Sequence, residues 1–212
     1  TALSDGTVSG EDEKQEAMEI ITSKTLILKK LVDDLDQLSK MQTHQFTFDF
    51  TLCTVPNVVD LLITNNVGDA KTAGFEVSID YDEPLLAHHW LVLDLDRISQ
   101  VFSNLITNAI KYSDSRKELH ITFKIDGAAE NFIVSVADRG IGIREAQLAH
   151  VFDQFYRAEN SQKDGQSRIE GRGLGLTLCK EIMLAHQGDI YAESIFGEGS
   201  TFTFIIPLYK EV

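Results

Sequence analysis

The chain has 212 residues, 43% of them hydrophobic, with 19 basic against 33 acidic side chains and a formal net charge of −14. That length suits one domain of ordinary size plus an appended element, with enough chain to bury a substantial core, while the charge argues against a direct nucleic-acid partner, whose phosphates the net field would repel. No apolar run approaches bilayer-spanning length, no signal peptide opens the chain, and the two cysteines, Cys53 and Cys179, lack the paired spacing of a metal site and read as buried thiols in a reducing compartment.

Thr1 to Glu13 is polar, with Gly6 and Gly10, and reads as a connection. From Lys14 to Met41 an apolar stripe through Met18, Ile21, Leu28, Val32, Leu35 and Leu38 predicts a long helix whose near-heptad spacing asks for a partner helix. Met41 to Gln45, including His44, reads as a hinge. Phe46, Phe48 and Phe50 alternate with Thr47 and Asp49, the period of a strand with one aromatic face turned inward. Pro56 suits the first turn of a helix running through Val58, Val59, Leu61, Leu62 and Ile63, and Gly74 ends that region. Phe75 to Asp80 and Leu91 to Leu93 read as short strands around a turn at Pro84. His88 and His89 are adjacent, so on a strand they would point to opposite faces, and a metal pair is disfavoured. Trp90 reads as a packing residue, not a stacking platform.

The stretch Asn104 to Ser113, preceded by Ile98, Val101 and Phe102, predicts an amphipathic helix. Asn104, Asn108, Lys111 and Tyr112 fall at i, i+4, i+7 and i+8, so one face carries two amides, an ammonium and a phenol. Leu105, Ile106, Ala109 and Ile110 cover the other side. An amide oxygen is a hard ligand suited to Mg²⁺, which keeps several waters and completes its shell from substrate phosphates. A surface helix whose asparagines merely face water is the competing reading of this helix alone.

Leu119 to Ile125 and Phe132 to Val136 predict a hairpin around Asp126-Gly127. Asp138-Arg139-Gly140-Ile141-Gly142-Ile143 follows, placing a carboxylate where a strand ends, beside glycines that let a ligand approach the main chain. Glu145 to Tyr156 reads as a short helix and Ala158 to Gly171 as a polar loop. Gly171-Arg172-Gly173-Leu174-Gly175-Leu176 then opens a helix from Leu174 to His186, and helix N-termini suit phosphate. A dinucleotide-binding fold competes for these glycines, but its fingerprint needs a strand directly before them, and Gln162 to Glu170 is polar and charged. Strands at Asp189 to Ser194 and Thr201 to Ile206 finish the chain, and the whole pattern predicts a mixed sheet covered on one face by helices.

Four boxes in this order resemble the ATP-binding catalytic domain of sensor histidine kinases: Asn104 to Tyr112, Asp138 to Ile143, Phe152-Asp153-Gln154-Phe155-Tyr156-Arg157, and Gly171 to Leu176. The closing His186 to Ile190 and Gly197 to Phe204 are similar to that family's last two strands. The resemblance implies a two-layer α/β sandwich with a mixed sheet, the Bergerat-type ATP-binding fold, over residues 44–212. Residues 1–43 would be part of the dimerisation and phosphoacceptor hairpin. None of the six histidines has the acidic neighbour and nearby proline of a phosphoacceptor, so the chain is expected to begin after that residue and to be a fragment unable to phosphorylate itself.

Site roles follow from the resemblance residue by residue. Asp138 would accept a hydrogen bond from the adenine amino group, Asn108 would hold Mg²⁺, Asn104 would support metal or phosphate, and Tyr112 would lie against the adenine ring. Lys111 would pair with phosphate oxygens and Arg157 would reach the terminal phosphate, which makes Asn104, Lys111 and Arg157 the expected catalytic set. Gly140, Gly142, Ile143, Tyr156, Arg172, Gly173, Leu174, Gly175, Leu176 and Thr201 complete the expected ATP contacts, with Phe152 and Phe155 anchoring Arg157 and residues 158–171 forming a lid. Glu170 stands where the family commonly has the first of two glycines. The implied reaction is transfer of the ATP γ-phosphoryl to a histidine outside this chain. In the whole protein the expected partners are a second copy through the hairpin and a response regulator, in a cytoplasmic portion of a membrane-anchored sensor. Alternatives are an ATPase of the same superfamily, disfavoured because a water-activating glutamate would stand where Asn104 does, an anti-sigma serine kinase, disfavoured by the long first helix, and a non-catalytic dimerising module.

Overall fold

A computed structural model describes residues 11–43, 45–81, 86–113, 116–128, 130–156 and 173–210. The chain divides into two compact units, one ending at Gln45 and one spanning Phe46–Val212. The first is helix α1, Glu11–Gln42, in which Met18, Ile21, Leu28 and Val32 of the apolar stripe stand exposed. Thr1 to Gly10 and His44 lie outside the described residues.

In the second unit, β1 (Thr51–Thr54) pairs antiparallel with β3 (Trp90–Leu93) as a small two-stranded sheet. Phe46 to Phe50 does not join it. Their rings meet in tilted contacts, at 4.8 Å for Phe46–Phe48 and 5.6 Å for Phe48–Phe50. The amide of Asp49 donates to the Asp94 carboxylate at 3.0 Å, so a side chain takes the hydrogen bond that a ladder would have used. Helix α2 (Val55–Thr72) starts where Pro56 predicts, with Thr54 capping the Asn57 amide, and ends before Gly74 at φ +83°. Trp90 is about half exposed on β3, so it packs less than expected.

The main sheet has the order β2-β4-β5-β7-β6, with β2 (Glu76–Tyr81), β4 (Glu118–Asp126), β5 (Asn131–Asp138), β6 (Asp189–Ile195) and β7 (Gly199–Pro207). β2 and β4 run parallel and every other pair is antiparallel, which makes the sheet mixed. Burial alternates along β5: Phe132, Val134 and Val136 are buried, and their neighbours are only partly covered. Period-two alternation of this kind means one face is packed and the other is open to water.

The packed face is covered by helices. Helix α3 (Leu95–Tyr112) buries Ile98, Val101, Phe102, Leu105, Ile106 and Ala109, the stripe read from the sequence. Phe102 meets Phe123 at 6.1 Å between ring centroids, and Phe123 stacks on Phe132 at 6.3 Å. Helix α5 (Gly175–Ala185) buries Leu178, Cys179, Ile182 and Met183 beside it. This is an α/β sandwich. Between β5 and α5 the expected helix at Glu145 to Tyr156 is only α4 (Glu145–Leu148), followed by turns, and Phe155 near the end of that stretch adopts φ +63°, outside the helical region. Both cysteines are thiols, Cys179 buried as expected and Cys53 only partly so.

A buried polar node fixes the start of α3. Asp94 caps the helix by accepting the Arg97 amide at 3.1 Å, and its own amide donates to His186 Nε2 at 2.9 Å. His186 Nδ1 faces the Ile182 carbonyl at 2.7 Å, so the ring is neutral with its proton on Nδ1. Burial holds the His186 pKa below its ordinary value, partly opposed by the Ile182 carbonyl and Asp94.

Candidate functional site

Helix α3 presents Asn104 and Asn108 one turn apart on one face, both partly buried, with Lys111 exposed and Tyr112 partly buried at its C-terminal end. Asn104 and Tyr112 are eight residues apart, about 12 Å along the axis. One glycine-rich stretch meets the helix at its C-terminal end and the other near its middle.

At the Tyr112 end, the Tyr112 carbonyl accepts the Ile141 amide at 3.0 Å. A Cβ on Gly140 would stand 2.4 Å from that same carbonyl, and one on Gly142, at φ +65°, would stand 2.2 Å from the Ile195 carbonyl. Only glycine permits both approaches. Asp138 ends β5 on the packed face, in line with Val134 and Val136, and is 8% exposed. Its Oδ1 accepts the Gly140 amide at 2.7 Å. Burial pushes the carboxyl above the usual aspartate range, partly opposed by the amides of Gly140 and Ser200, which favour the charged form.

At Asn104, near the middle of α3, a Cβ on Gly175 would lie 3.7 Å from the amide group, so the first residue of α5 faces the asparagine. No described side chain caps α5, and its leading amides, starting with Gly175 and Leu176, are in position to receive an anion. Gly173, at φ +70°, accepts the Phe155 amide at 2.9 Å, and the Thr177 hydroxyl donates to the Phe152 carbonyl at 3.1 Å. Phe155 and Phe152 are thereby tied to the start of α5, where Leu174 is buried. Phe152 packs edge-on against Phe202 at 6.4 Å, whereas Phe155 is largely exposed and is not a core anchor. Arg157, Arg172 and the loop between them lie outside the described residues.

The register sets Thr201 apart from the other expected contacts. It pairs with Ala137 on β5 and Glu193 on β6, one step out of phase with Asp138, so it stands on the open face of the sheet. Ser200 is the residue on Asp138's face, and its amide reaches the carboxylate. Ser194 pairs with Ser200 across β6 and β7, and its hydroxyl accepts the Ile143 amide at 2.8 Å. Neither serine was singled out in the sequence; the alternation Ser200, Phe202, Phe204 could have shown the phase. A cavity of about 820 Å³ opens over the strand ends beside this junction: Asp138, Ser194, Ser200 and Thr201 share its lining with Glu76, Glu118, His120 and Glu193. Its carboxylates would repel a polyphosphate, so it is not the anion site.

Residues 93–210 match the family described as histidine kinase-, DNA gyrase B-, and HSP90-like ATPase. The sensor histidine kinase WalK of Bacillus subtilis (strain 168) is 35% identical over 213 residues, covering 99% of this chain and 33% of that protein, so the chain spans about a third of the relative's length. In structure the chain is similar to the Acinetobacter baumannii histidine kinase AdeS, with a TM-score of 0.73, 24% identity, and coverage of 99% of this chain and 91% of that one. It is also similar to full-length ShkA solved in complex with AMPPNP, with a TM-score of 0.75, 19% identity, and coverage of 96% and 40%. At those identities the likeness shows the fold.

Proposed function

This chain belongs to the histidine kinase-, DNA gyrase B-, and HSP90-like ATPase family, and from that premise we propose that it is the ATP-binding kinase portion of a two-component sensor histidine kinase. The observation that carries the reading is the double junction of α3: Tyr112 against Gly140 and Ile141 at its C-terminal end, Asn104 against Gly175 near its middle. A purine at the first junction and phosphates at the second would be spanned by one nucleotide. Asp138 would read the adenine amino group through its buried carboxylate, a charge-assisted contact that excludes guanine. The leading amides of α5 and Lys111 would hold the phosphates, with Tyr112 against the base and Arg157, by resemblance, at the terminal phosphate.

Among the described residues no group of three or more His, Cys, Asp or Glu side chains could hold a metal. A Mg²⁺ here would draw one oxygen from Asn108 and the rest of its shell from phosphates and water, a donor set that suits this hard ion. The bound triphosphate supplies the γ-phosphoryl group; the chain's own contribution is position and electrostatics. An amide at Asn104, where a hydrolytic relative would place a water-activating carboxylate, leaves water unactivated and favours transfer over hydrolysis. The acceptor is a histidine outside this chain, the next recipient a response regulator, and the whole protein a homodimer joined through its helical hairpin and anchored in a membrane by other segments. No helix among the described residues is long and apolar enough to cross a membrane.

Titration with a fluorescent ATP analogue tests the pocket. The parent chain binds in the presence of Mg²⁺, while Asp138→Asn and Asn108→Ala lose detectable binding with unchanged circular dichroism; parental affinity in either variant would refute the assignment. Adding a separate hairpin that bears the phosphoacceptor histidine tests the chemistry, through acid-labile label transferred from ATP.

A further inference from the structure

We infer that Ser194 is a positioning residue that sets the adenine-reading carboxylate, an inference that rests on the ATP-pocket reading above. Its hydroxyl lies on β6, in no direct contact with Asp138, yet it closes a ring of polar contacts around that group. The Ile143 amide donates to Ser194 Oγ at 2.8 Å, and Ser194 Oγ donates to the Gly199 carbonyl at 2.7 Å. Ser200 Oγ lies 3.0 Å from Ser194 Oγ. A serine hydroxyl has one proton and two lone pairs. With the proton spent on Gly199 and one lone pair on Ile143, the remaining lone pair must accept from Ser200. All three valences are used.

The ring then runs through three strands. The Ser200 amide supports the Asp138 carboxylate from β7, and the Gly140 amide grips its Oδ1 at 2.7 Å from the loop after β5. That loop continues to Ile143, which returns to Ser194. Gly199 closes the same junction, since a Cβ there would stand 2.0 Å from the Asp138 carbonyl. Both amides that orient the carboxylate therefore sit on segments, 140–143 and 199–200, that Ser194 ties together. Removing the hydroxyl leaves the partly buried Ile143 amide and Gly199 carbonyl unpaired and lets the two segments move apart, so the carboxylate loses its fixed aim.

The consequence is for selectivity more than for affinity in general. Inosine triphosphate carries an oxo group where ATP has the amino group, so the ratio of ATP to inosine triphosphate affinity measures how well Asp138 is aimed. Both nucleotides are titrated with Mg²⁺ into the parent, Ser194→Ala, Ser194→Cys and Ser194→Thr. Ser194→Ala is expected to cut the ratio about tenfold, the loss of one well-made hydrogen bond. Ser194→Cys, which keeps the side-chain shape in a slightly larger form but bonds weakly, should behave likewise and serves if the alanine variant does not fold. Ser194→Thr, which keeps the hydroxyl, should restore most of the ratio. A residue that only stabilised the fold would lower the melting temperature in Ser194→Ala and leave the ratio alone. A parental ratio in Ser194→Ala or in Ser194→Cys overturns the inference. Asp138→Asn in the same titration separates the two claims: if it too binds ATP like the parent, the pocket reading has failed along with this one, and if it alone loses ATP binding, only the role of Ser194 has failed.

Discussion

At the scale of single residues, the chemistry of the candidate site turns on a carboxylate and a handful of hydrogens that are missing from glycines. Burial raises the Asp138 pKa, so its proton returns at a higher pH than the ordinary aspartate value of about 3.9. Two consequences follow, of opposite kind. ATP affinity should hold from neutral pH downward and then fall as pH drops through the raised value, with inosine triphosphate affinity falling less; titrations across a pH series check this. For stability, the folded state binds this proton more readily than the unfolded one, so the ionised side chain is a penalty above the folded pKa that is relieved as pH falls toward the unfolded value. Asp138 does not promote acid denaturation. His186 does, since its pKa is lowered: the stability it confers is present above about pH 6.5 and is lost as pH falls. Urea midpoints measured across that range should decline toward acid, and less steeply in His186→Gln. At Gly140 the Tyr112 carbonyl leaves no room for a Cβ. Gly140→Ala is predicted to cost about 1–3 kcal/mol of overpacking strain and to weaken ATP binding together with it, seen by melting and by titration.

At the scale of elements, α3 is the part on which the others depend. It buries its apolar stripe against the sheet, and its polar face and C-terminal carbonyls meet the two glycine-rich stretches. Its N-terminus is fixed by Asp94, which serves the Arg97 amide, the Asp49 amide and, through its own N–H, the buried His186 ring. Asp94→Ala removes the cap and orphans the Asp49 amide, so a loss of about 2–3 kcal/mol is expected in chemical denaturation, well above the cost of a surface cap alone. The same node explains why Phe46 to Phe50 joins no sheet: its rings make tilted and edge-on contacts with one another and with His186, and Asp49 bonds to a side chain. A period of two in the sequence reports an extended backbone, not who its hydrogen-bond partner is.

At the scale of the whole molecule, every described residue of the candidate site lies in the unit Phe46–Val212, which contains its own core of Phe102, Phe123, Phe132 and Phe204. A fragment beginning at residue 46 is therefore predicted to fold and to bind ATP with the affinity of the parent chain, checked by titration of both. Phe123→Ala, which opens a cavity between Phe102 and Phe132, is expected to cost about 3–5 kcal/mol, a large share of the ~5–15 kcal/mol that holds a domain folded. The exposed stripe of α1 is what the resemblance reads as a dimer seam, and sedimentation of the parent chain would show whether it pairs. Much of this was legible in the chain itself. The stripe of α3, the alternation of β5, the proline at the start of α2 and the glycines beside Asp138 each act over a few residues, where side-chain period and backbone sterics are set by covalent geometry. The sequence could not bring Ser200 to the Asp138 carboxylate, end the helix after Leu148, leave Phe155 exposed, or bring Ser194 to the loop after Asp138. Those depend on which strand lies beside which and in what register, and register is fixed by contacts between residues tens of positions apart, where no local pattern carries the information.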